Sequence, residues 1–396
     1  MAEGLAIHGG PPVRETMLPC GHQWVDEDDV QAVAEVLRSN WLTTGPKVDE
    51  FERAFADCVN AREAVAVSNG TAALHAAMFA LGIGQGEEVI VPAITFVATA
   101  NCVVYRGGSP VFADVHPDTL LLDPAQAASK ITSRTKAIIA VDYAGQPCDY
   151  DALREIADRH ELALVADACH SLGASYNGRS VGSLADLNIF SFHPVKAITS
   201  GEGGMVTTDD KTLAQQVRIF RHHGITTDHK QRAEKDSFFY EMADLGYNCR
   251  LSDLQCALGL SQLRKLPEFV RRRREIAALY DEGLADTPAV CPIAVRSEVS
   301  HAYHLYVLQW NLNRLRVDRT EVFAALRAEN IGVNVHYMPV YKHPYYHRIG
   351  YEMEFCATAE RAYAGLISLP IFLHMTDQDV ADVLTAVTKV ANYFHV

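Results

Sequence analysis

The sequence predicts an α/β protein: a mostly parallel central sheet with helices on both faces, followed by a smaller C-terminal α+β domain. Three observations carry this. Short apolar runs alternate with helical patterns from about Val30 to Thr208, the rhythm of strands returned by helices packed on the sheet. The chain has 396 residues, more than one hydrophobic core normally supports. Beyond Leu260 the texture changes to a long charged helix, Lys265 to Asp286, and then to a smaller α+β pattern ending at Val396. The expected division is therefore 1–264 for a large domain and 265–396 for a small one.

The first strand is the apolar run Ala64 to Ser68, and a tight Asn-Gly-Thr turn follows it. Leu74, Met78 and Leu81 then recur at helical spacing, with Gly82 placed to stop the helix. The runs Glu88 to Val91, Pro110 to Asp114, Ala137 to Asp142 and Leu162 to Asp167 supply further strands, and Tyr150 to His160 reads as a helix between the last two. Another apolar run ends near Ser191, and one more begins at Met205. In the long helix, Glu268, Glu275, Asp281 and Glu282 flank the run Arg271 to Arg274. That pattern predicts a solvated face with ion pairs rather than a nucleic-acid patch.

Lys196 is the most informative residue. It lies in Ser191-Phe-His-Pro-Val-Lys196-Ala-Ile-Thr-Ser-Gly-Glu-Gly-Gly204, a turn of small residues between two apolar runs. A lysine so placed is partly desolvated, which lowers its pKa and frees the amine to form a Schiff base with an aldehyde. A lone loop lysine is ordinarily a solvated surface group, and two other segments change that reading. Gly70 and Thr71 stand at a helix N-terminus, where backbone N–H groups, a hydroxyl and the helix dipole suit a phosphate. Asp167 ends an apolar strand, and in open α/β sheets such strand ends line the ligand crevice. Together the three supply a phosphate anchor, an anion for a ring nitrogen and an amine for an aldehyde, which is what pyridoxal 5′-phosphate needs.

At these motifs the chain resembles the sugar-nucleotide aminotransferases of the DegT/DnrJ/EryC1/StrS family, within the fold-type I group of pyridoxal-phosphate enzymes. The similarity runs from about His22 to Leu369-Pro370. It implies that Lys196 forms the Schiff base and that Asp167 contacts the pyridinium nitrogen. It further implies that Thr71, the backbone around Gly70 and Ala72, and Ser191 hold the phosphate. Phe96 takes the position where the family stacks an aromatic ring, and His170 that of a His or Gln near the cofactor oxygen. The segment Leu245-Gly-Tyr-Asn248-Cys-Arg250 resembles the one that enters the neighbouring subunit's site, so Asn248 would touch the partner's cofactor phosphate in a homodimer. The usual aromatic residue after that Asn is Cys249 here. An antiparallel element is expected near Gly204 to Thr208.

The implied chemistry moves the amino group of L-glutamate to a nucleotide-linked keto-sugar. Ser-Phe-His-Pro-Val-Lys followed by Glu-Gly-Gly is similar to enzymes that aminate C4 of a 4-keto-6-deoxy sugar, whereas C3-aminating relatives commonly carry Tyr-Pro-Gly or Tyr-Pro-Ser before the lysine. Phe239-Tyr-Glu-Met, His336-Tyr-Met-Pro-Val-Tyr and His343-Pro-Tyr-Tyr resemble the transaminases of pseudaminic acid synthesis. His193, Arg250, His336 and Tyr337 are thereby candidates for the sugar-nucleotide pocket. The alternatives are perosamine, bacillosamine or antibiotic-sugar aminotransferases. Sugar 3-dehydratase relatives share the fold but replace the Schiff-base lysine with histidine. A non-catalytic binding or regulatory protein on this fold would be expected to lose Lys196, Asp167 or the phosphate anchor.

The formal net charge of −14 argues against nucleic acid or anionic membranes as partners. Nine cysteines stand singly at positions 20, 58, 102, 148, 169, 249, 256, 291 and 356, without metal-finger spacing, as expected of reduced thiols in a cytoplasm. His301 and His304 lack a third ligand nearby in sequence and are read as structural or pocket residues, so no metal is expected. The N-terminus Met-Ala-Glu-Gly-Leu lacks the basic and apolar regions of a signal peptide. The apolar stretch Val89 to Val104 is broken by Pro92, Thr95, Thr99 and Asn101 and falls short of a membrane span.

Overall fold

The computed structural model describes residues 4–227 and 236–396. In chain order the strands of its first half are β1 (Glu63–Val67), β2 (Glu88–Pro92), β3 (Ser109–Ala113), β4 (Thr135–Val141), β5 (Ala163–Asp167), the short β6 (Ser175–Tyr176) and β7 (Arg179–Ser180), then β8 (Leu187–Ser191) and β9 (Gly204–Thr208). Seven of these form the main sheet, in the order β1-β9-β8-β5-β4-β2-β3. Neighbours from β3 across to β8 pair in parallel, and β9 is antiparallel to both β8 and β1. Six strands thus run one way, and β9 is the antiparallel element expected at Gly204 to Thr208.

This topology decides where chemistry can sit. The ends of the six parallel strands share one edge, and the pairing register sets Asp167 opposite Ile189, Ser191 opposite Gly204, and Val67 also opposite Gly204. Loops leaving these ends form the crevice that open α/β sheets use for ligands.

The first helices are α1 (Glu27–Leu37), α2 (Pro46–Val59), α3 (Gly70–Ala80), α4 (Ala98–Tyr105), α5 (Pro124–Ser129), α6 (Tyr150–Arg159) and α7 (Lys211–Arg221). Their starts follow from capping chemistry. Asp26 and Asp29 form a reciprocal capping box on α1, and Asn69 and Asp149 cap α3 and α6, each cap contributing about 1 kcal/mol. After α3, Gly82 adopts φ +71°, the left-handed stop expected there. Phe51 and Phe55 of α2 pack on Phe190 and Phe192, with ring centroids 4.9 Å apart for Phe55 and Phe190 and 5.3 Å for Phe51 and Phe192. That aromatic cluster supports β8 from behind, immediately before the turn that carries Lys196.

The long charged helix runs from Asp253 to Leu284, beginning well before Lys265. Ser252 and Gln255 form a capping box at its start, and Pro267 lies inside it. A proline breaks the hydrogen-bond ladder and normally marks a helix start; here packing against α1 and α2 carries the helix through it. Of the four arginines at 271–274, Arg271 and Arg272 pair with Glu275 and Asp377 as expected of a solvated face. Arg273 departs from that expectation: it is buried and donates to backbone carbonyls instead.

The same helix joins two hydrophobic clusters. Leu263, Leu266, Phe269 and Val270 belong to the first, and Ile276, Ala277, Tyr280 and Leu284 to the second. The second cluster surrounds an antiparallel sheet of β10 (Val290–Pro292), β12 (Tyr306–Trp310) and β13 (Leu366–Leu369), while β11 (Val299–Ser300) pairs with β6. Leu5 and Leu18 also pack in the second cluster. We propose that these clusters are the cores of the two units, with the N-terminal segment docked on the smaller, although the first core reaches past the boundary drawn at 264/265 to take in Leu266, Val340, Tyr346 and Ala359.

Candidate active site

Lys196 sits in the turn after β8, its N–H donating to His193 O at 2.9 Å. The side chain is half-buried, and its Nζ lies 3.5 Å from His304 Nε2. Burial lowers the amine's pKa, with Cys169 and Asp167 acting in the opposite sense. The neutral amine is thus more accessible than in a solvated lysine.

Asp167, the last residue of β5, is buried. Its Oδ2 accepts from Thr99 Oγ1 at 2.7 Å, and its Oδ1 accepts from the Cys169 N–H at 3.3 Å. Thr99 is itself 2.8 Å from Thr95 through the two hydroxyls. These donors fix the carboxylate's orientation while leaving lone pairs for a ligand. Sequence reasoning did not single out Thr99, although two threonines at i and i+4 following a strand offered a signal.

After the end of β1, α3 begins at Gly70. Asn69 Oδ1 accepts from the Ala72 N–H at 2.8 Å, so Ala72 is engaged in the cap. The N–H groups of Gly70 and Thr71 have no intrahelical acceptor by the geometry of any helix start. A Cβ on Gly70 would lie 2.8 Å from Ser191 Cβ and 3.3 Å from its Oγ, and a Cβ on Gly204 would lie 2.9 Å from Gly70 N. Glycine is therefore required where β8, β9 and α3 converge, and the Ser191 hydroxyl faces the helix start.

His170, His336 and Tyr337 cluster beside this convergence. His170 Nε2 lies 3.3 Å from Tyr337 Oη, and the His170 ring is 4.3 Å from His304 between centroids. His336 Nδ1 lies 2.9 Å from Ser368 Oγ. Burial, aided by the nearby Lys196 charge, pushes His170 well below the usual histidine range and His336 down to about 4. These imidazoles are neutral at physiological pH. The Nδ1 atoms of His170 and His304 are buried and lack hydrogen-bond partners among the described residues. Phe96, more than half exposed, stands at the rim with its ring 6.1 Å from Tyr337.

Three candidates lie further out. His193 is exposed in the lysine turn, its N–H 3.4 Å from Ser191 Oγ. Asn248 is exposed and bridges to His222, while Cys249 O accepts from the Ser68 N–H at 2.8 Å. Arg250 bridges to Val67 and places Nη1 2.8 Å from His222 Nδ1. The strip 247–250 thus runs beside the end of β1, one turn from Gly70. Among the described residues, no group of three or more His, Cys, Asp or Glu side chains could hold a metal ion.

The residues present fit pyridoxal 5′-phosphate. The Gly70 and Ser191 convergence is a cradle that a single Cβ would fill, and its donors suit a phosphate. An oriented carboxylate and a lysine of lowered pKa complete the set. Gly70→Ala is expected to weaken cofactor affinity at least about tenfold, or about 1.4 kcal/mol, because the methyl group crowds Ser191. Absorbance titration of the cofactor-free protein measures this, and unchanged affinity would remove Gly70 from the cradle.

Comparison with known proteins agrees with this geometry. The model of the DegT/DnrJ/EryC1/StrS aminotransferase family matches residues 23–388. The spore coat polysaccharide biosynthesis protein SpsC of Bacillus subtilis is 41% identical over 380 residues, 95% of this chain and 98% of the relative. Among solved structures, Helicobacter pylori PseC, an aminotransferase involved in the biosynthesis of pseudoaminic acid, superposes with a TM-score of 0.90 at 31% identity, covering 96% of this chain and all of PseC. The putative sugar aminotransferase Spr1654 of Streptococcus pneumoniae matches in its PLP form (TM-score 0.88) and its PMP form (0.89), both at 30% identity over 95% of this chain and 99% of that one.

Proposed function

The chain belongs to the DegT/DnrJ/EryC1/StrS aminotransferase family and is a pyridoxal-phosphate-dependent sugar aminotransferase; from that premise we propose that it transfers the amino group of L-glutamate to C4 of a nucleotide-linked 4-keto-6-deoxy sugar. The observation that carries the reading is the lysine of lowered pKa gathered with Asp167 and the Gly70 cradle at one sheet edge. The choice of C4, and of a UDP-2-acetamido-2,6-dideoxy-hexulose as substrate, rests on the Ser-Phe-His-Pro-Val-Lys196 motif and on the likeness to PseC.

When bound, the cofactor supplies an aldehyde that captures an amine and a protonated ring that draws electrons from the carbon bearing the captured nitrogen. The protein's own groups do the rest. Lys196 Nζ would be the amine that holds the cofactor's aldehyde. The same Nζ, when free, would act as the acid/base group that moves the donor's α-proton. Asp167, oriented by Thr99 and Cys169, keeps the ring nitrogen protonated. The Gly70 and Thr71 N–H groups and the Thr71 and Ser191 hydroxyls would hold the phosphate, Phe96 would stack on the ring, and His170, 3.3 Å from Tyr337 Oη, would lie near the ring oxygen. The same groups, run in reverse with a keto-sugar, deliver nitrogen to the sugar. His193, Arg250, His336 and Tyr337 are assigned to the sugar-nucleotide side.

The active unit in this reading is a homodimer. Phe238, Phe239, Met242, Leu245 and Tyr247 are exposed in the strip that ends at Asn248, an apolar surface of the kind a second subunit covers. A cytoplasmic location accords with nine free thiols. No helix among the described residues is long and apolar enough to cross a membrane.

The test is the half-reaction followed by substrate choice. Addition of L-glutamate to the cofactor-loaded protein should convert the visible band of the bound cofactor to a near-ultraviolet one. UDP-, dTDP- and GDP-linked 4-keto-6-deoxy sugars are then compared, with the position of the new amine read by NMR. An amine at C3, or no turnover with any 4-keto sugar, would refute the C4 assignment.

A further inference from the structure

His304 takes no part in the chemistry described so far, yet the fold holds it in place from two sides. From the long helix, buried Arg273 donates through Nη1 to Tyr303 O at 3.2 Å, His304 O at 3.4 Å and Ile371 O at 2.9 Å. From the loop after β4, Gly145 O accepts from the Ala302 N–H at 2.9 Å and Ala144 O from the Leu305 N–H at 3.1 Å. Ala144 and Tyr303 both have left-handed backbones, with φ of 59° and 50°, a conformation uncommon for such residues. The two loops are in contact: a Cβ on Gly145 would lie 2.9 Å from His170 O and 3.0 Å from His304 N. What this framework aims is an imidazole, buried except for 8% of its surface, with Nε2 at 3.5 Å from Lys196 Nζ and an unpartnered Nδ1.

We propose that His304 is a positioning residue for Lys196, holding the lysine amine by a contact that serves both of its protonation states and places no negative charge beside it. The proposal rests on the reading of Lys196 as the cofactor lysine. A neutral imidazole presents either a lone pair or an N–H at Nε2, depending on its tautomer. An ammonium meets the lone pair, and a neutral amine accepts from the N–H. A carboxylate in the same place would only accept, and would favour the charged lysine.

The surroundings maintain this state. Burial keeps His304 neutral, reinforced by the charges of Lys196 and Arg273 and by His170 and His336. Lys196 is faced by His304, by Cys169 and Asp167 at the end of β5, and by His170 and His336, with Tyr337 close to the same carboxylate. Asp167 is directed at Thr99 and the Cys169 N–H rather than at the amine.

The experiment compares wild type, H304Q and H304D as full-length protein. In the cofactor-free state, Lys196 is reductively methylated with formaldehyde and cyanoborohydride across a pH series and quantified by mass spectrometry. Borohydride reduction of the cofactor-loaded protein, with peptide mapping, independently locates the Schiff-base lysine. H304D is expected to raise the Lys196 midpoint by at least about one unit, a tenfold loss of neutral amine at a given pH, and H304Q to stay within about half a unit. H304L removes the polar contact without adding charge; it should lower kcat while leaving donor KM unchanged, and H304Q should restore kcat. Equal midpoints for wild type and H304D, or equal kcat for H304L and H304Q, with the borohydride label on Lys196, overturn the role of His304 alone. A label on another lysine overturns the site reading instead.

Discussion

Lys196→Ala is expected to lower turnover by at least about 10⁴-fold, the upper end of what a positioned acid/base group alone contributes, because the proposed mechanism uses this residue as both covalent partner and proton carrier. Lys196 is half-buried, its amine meets His304, and among the described residues it makes no ion pair to lose. Truncation should therefore leave the melting temperature nearly unchanged and can even stabilise the fold by relieving a desolvated amine. Borohydride should no longer fix the cofactor to the chain. Single-turnover kinetics with glutamate, a thermal melt and peptide mapping check all three expectations. Residual turnover within about tenfold of wild type, an easily resolved 1.4 kcal/mol of barrier, would show that another amine carries the chemistry.

Asp167→Asn is expected to lower kcat by about 10²–10³-fold, the range for loss of one preorganised electrostatic group at a reacting centre. The cofactor should still bind. The amide is nearly isosteric with the carboxylate, so its oxygen can still accept from Thr99, and the phosphate cradle at Gly70 and Ser191 is untouched. What disappears is the negative charge that the proposed mechanism uses to keep the ring nitrogen protonated. The variant should thus separate affinity from turnover, with cofactor titration near wild type and the glutamate half-reaction slow. If the half-reaction rate is unchanged, the ring-nitrogen role belongs elsewhere.

Much of this site could be read along the chain because its parts lie in short local motifs. A strand end followed by Asn-Gly-Thr, a strand ending in Asp167 and a small-residue turn around Lys196 each have local physical signatures. The strand positions were legible for the same reason: β1 to β5 are compact apolar runs that period and turn residues delimit. The long helix was harder. Pro267 argues locally for a start near Lys265, and only the capping box at Ser252 with packing on α1 and α2 overrides it.

The least legible residues act across the fold. Thr99 reaches Asp167 over 68 positions and His304 reaches Lys196 over 108, separations at which no local pattern signals contact. Arg273 illustrates the same limit. In a run of four arginines Arg271 is exposed and Arg272 and Arg274 are only partly buried, yet one helical position turns Arg273 into the core, where it pins the His304 loop.

By itself, the sequence determined the α/β class, the strand-end Asp167, the helix start at Gly70 and the lysine turn, because each is encoded within a few consecutive residues by periodicity, capping or turn chemistry. Only the tertiary structure decided which groups meet: that Gly70 packs against Ser191, that Thr99 orients Asp167, and that His304 faces Lys196. Those contacts depend on the order and register of strands distant in the chain, and long-range packing sets them.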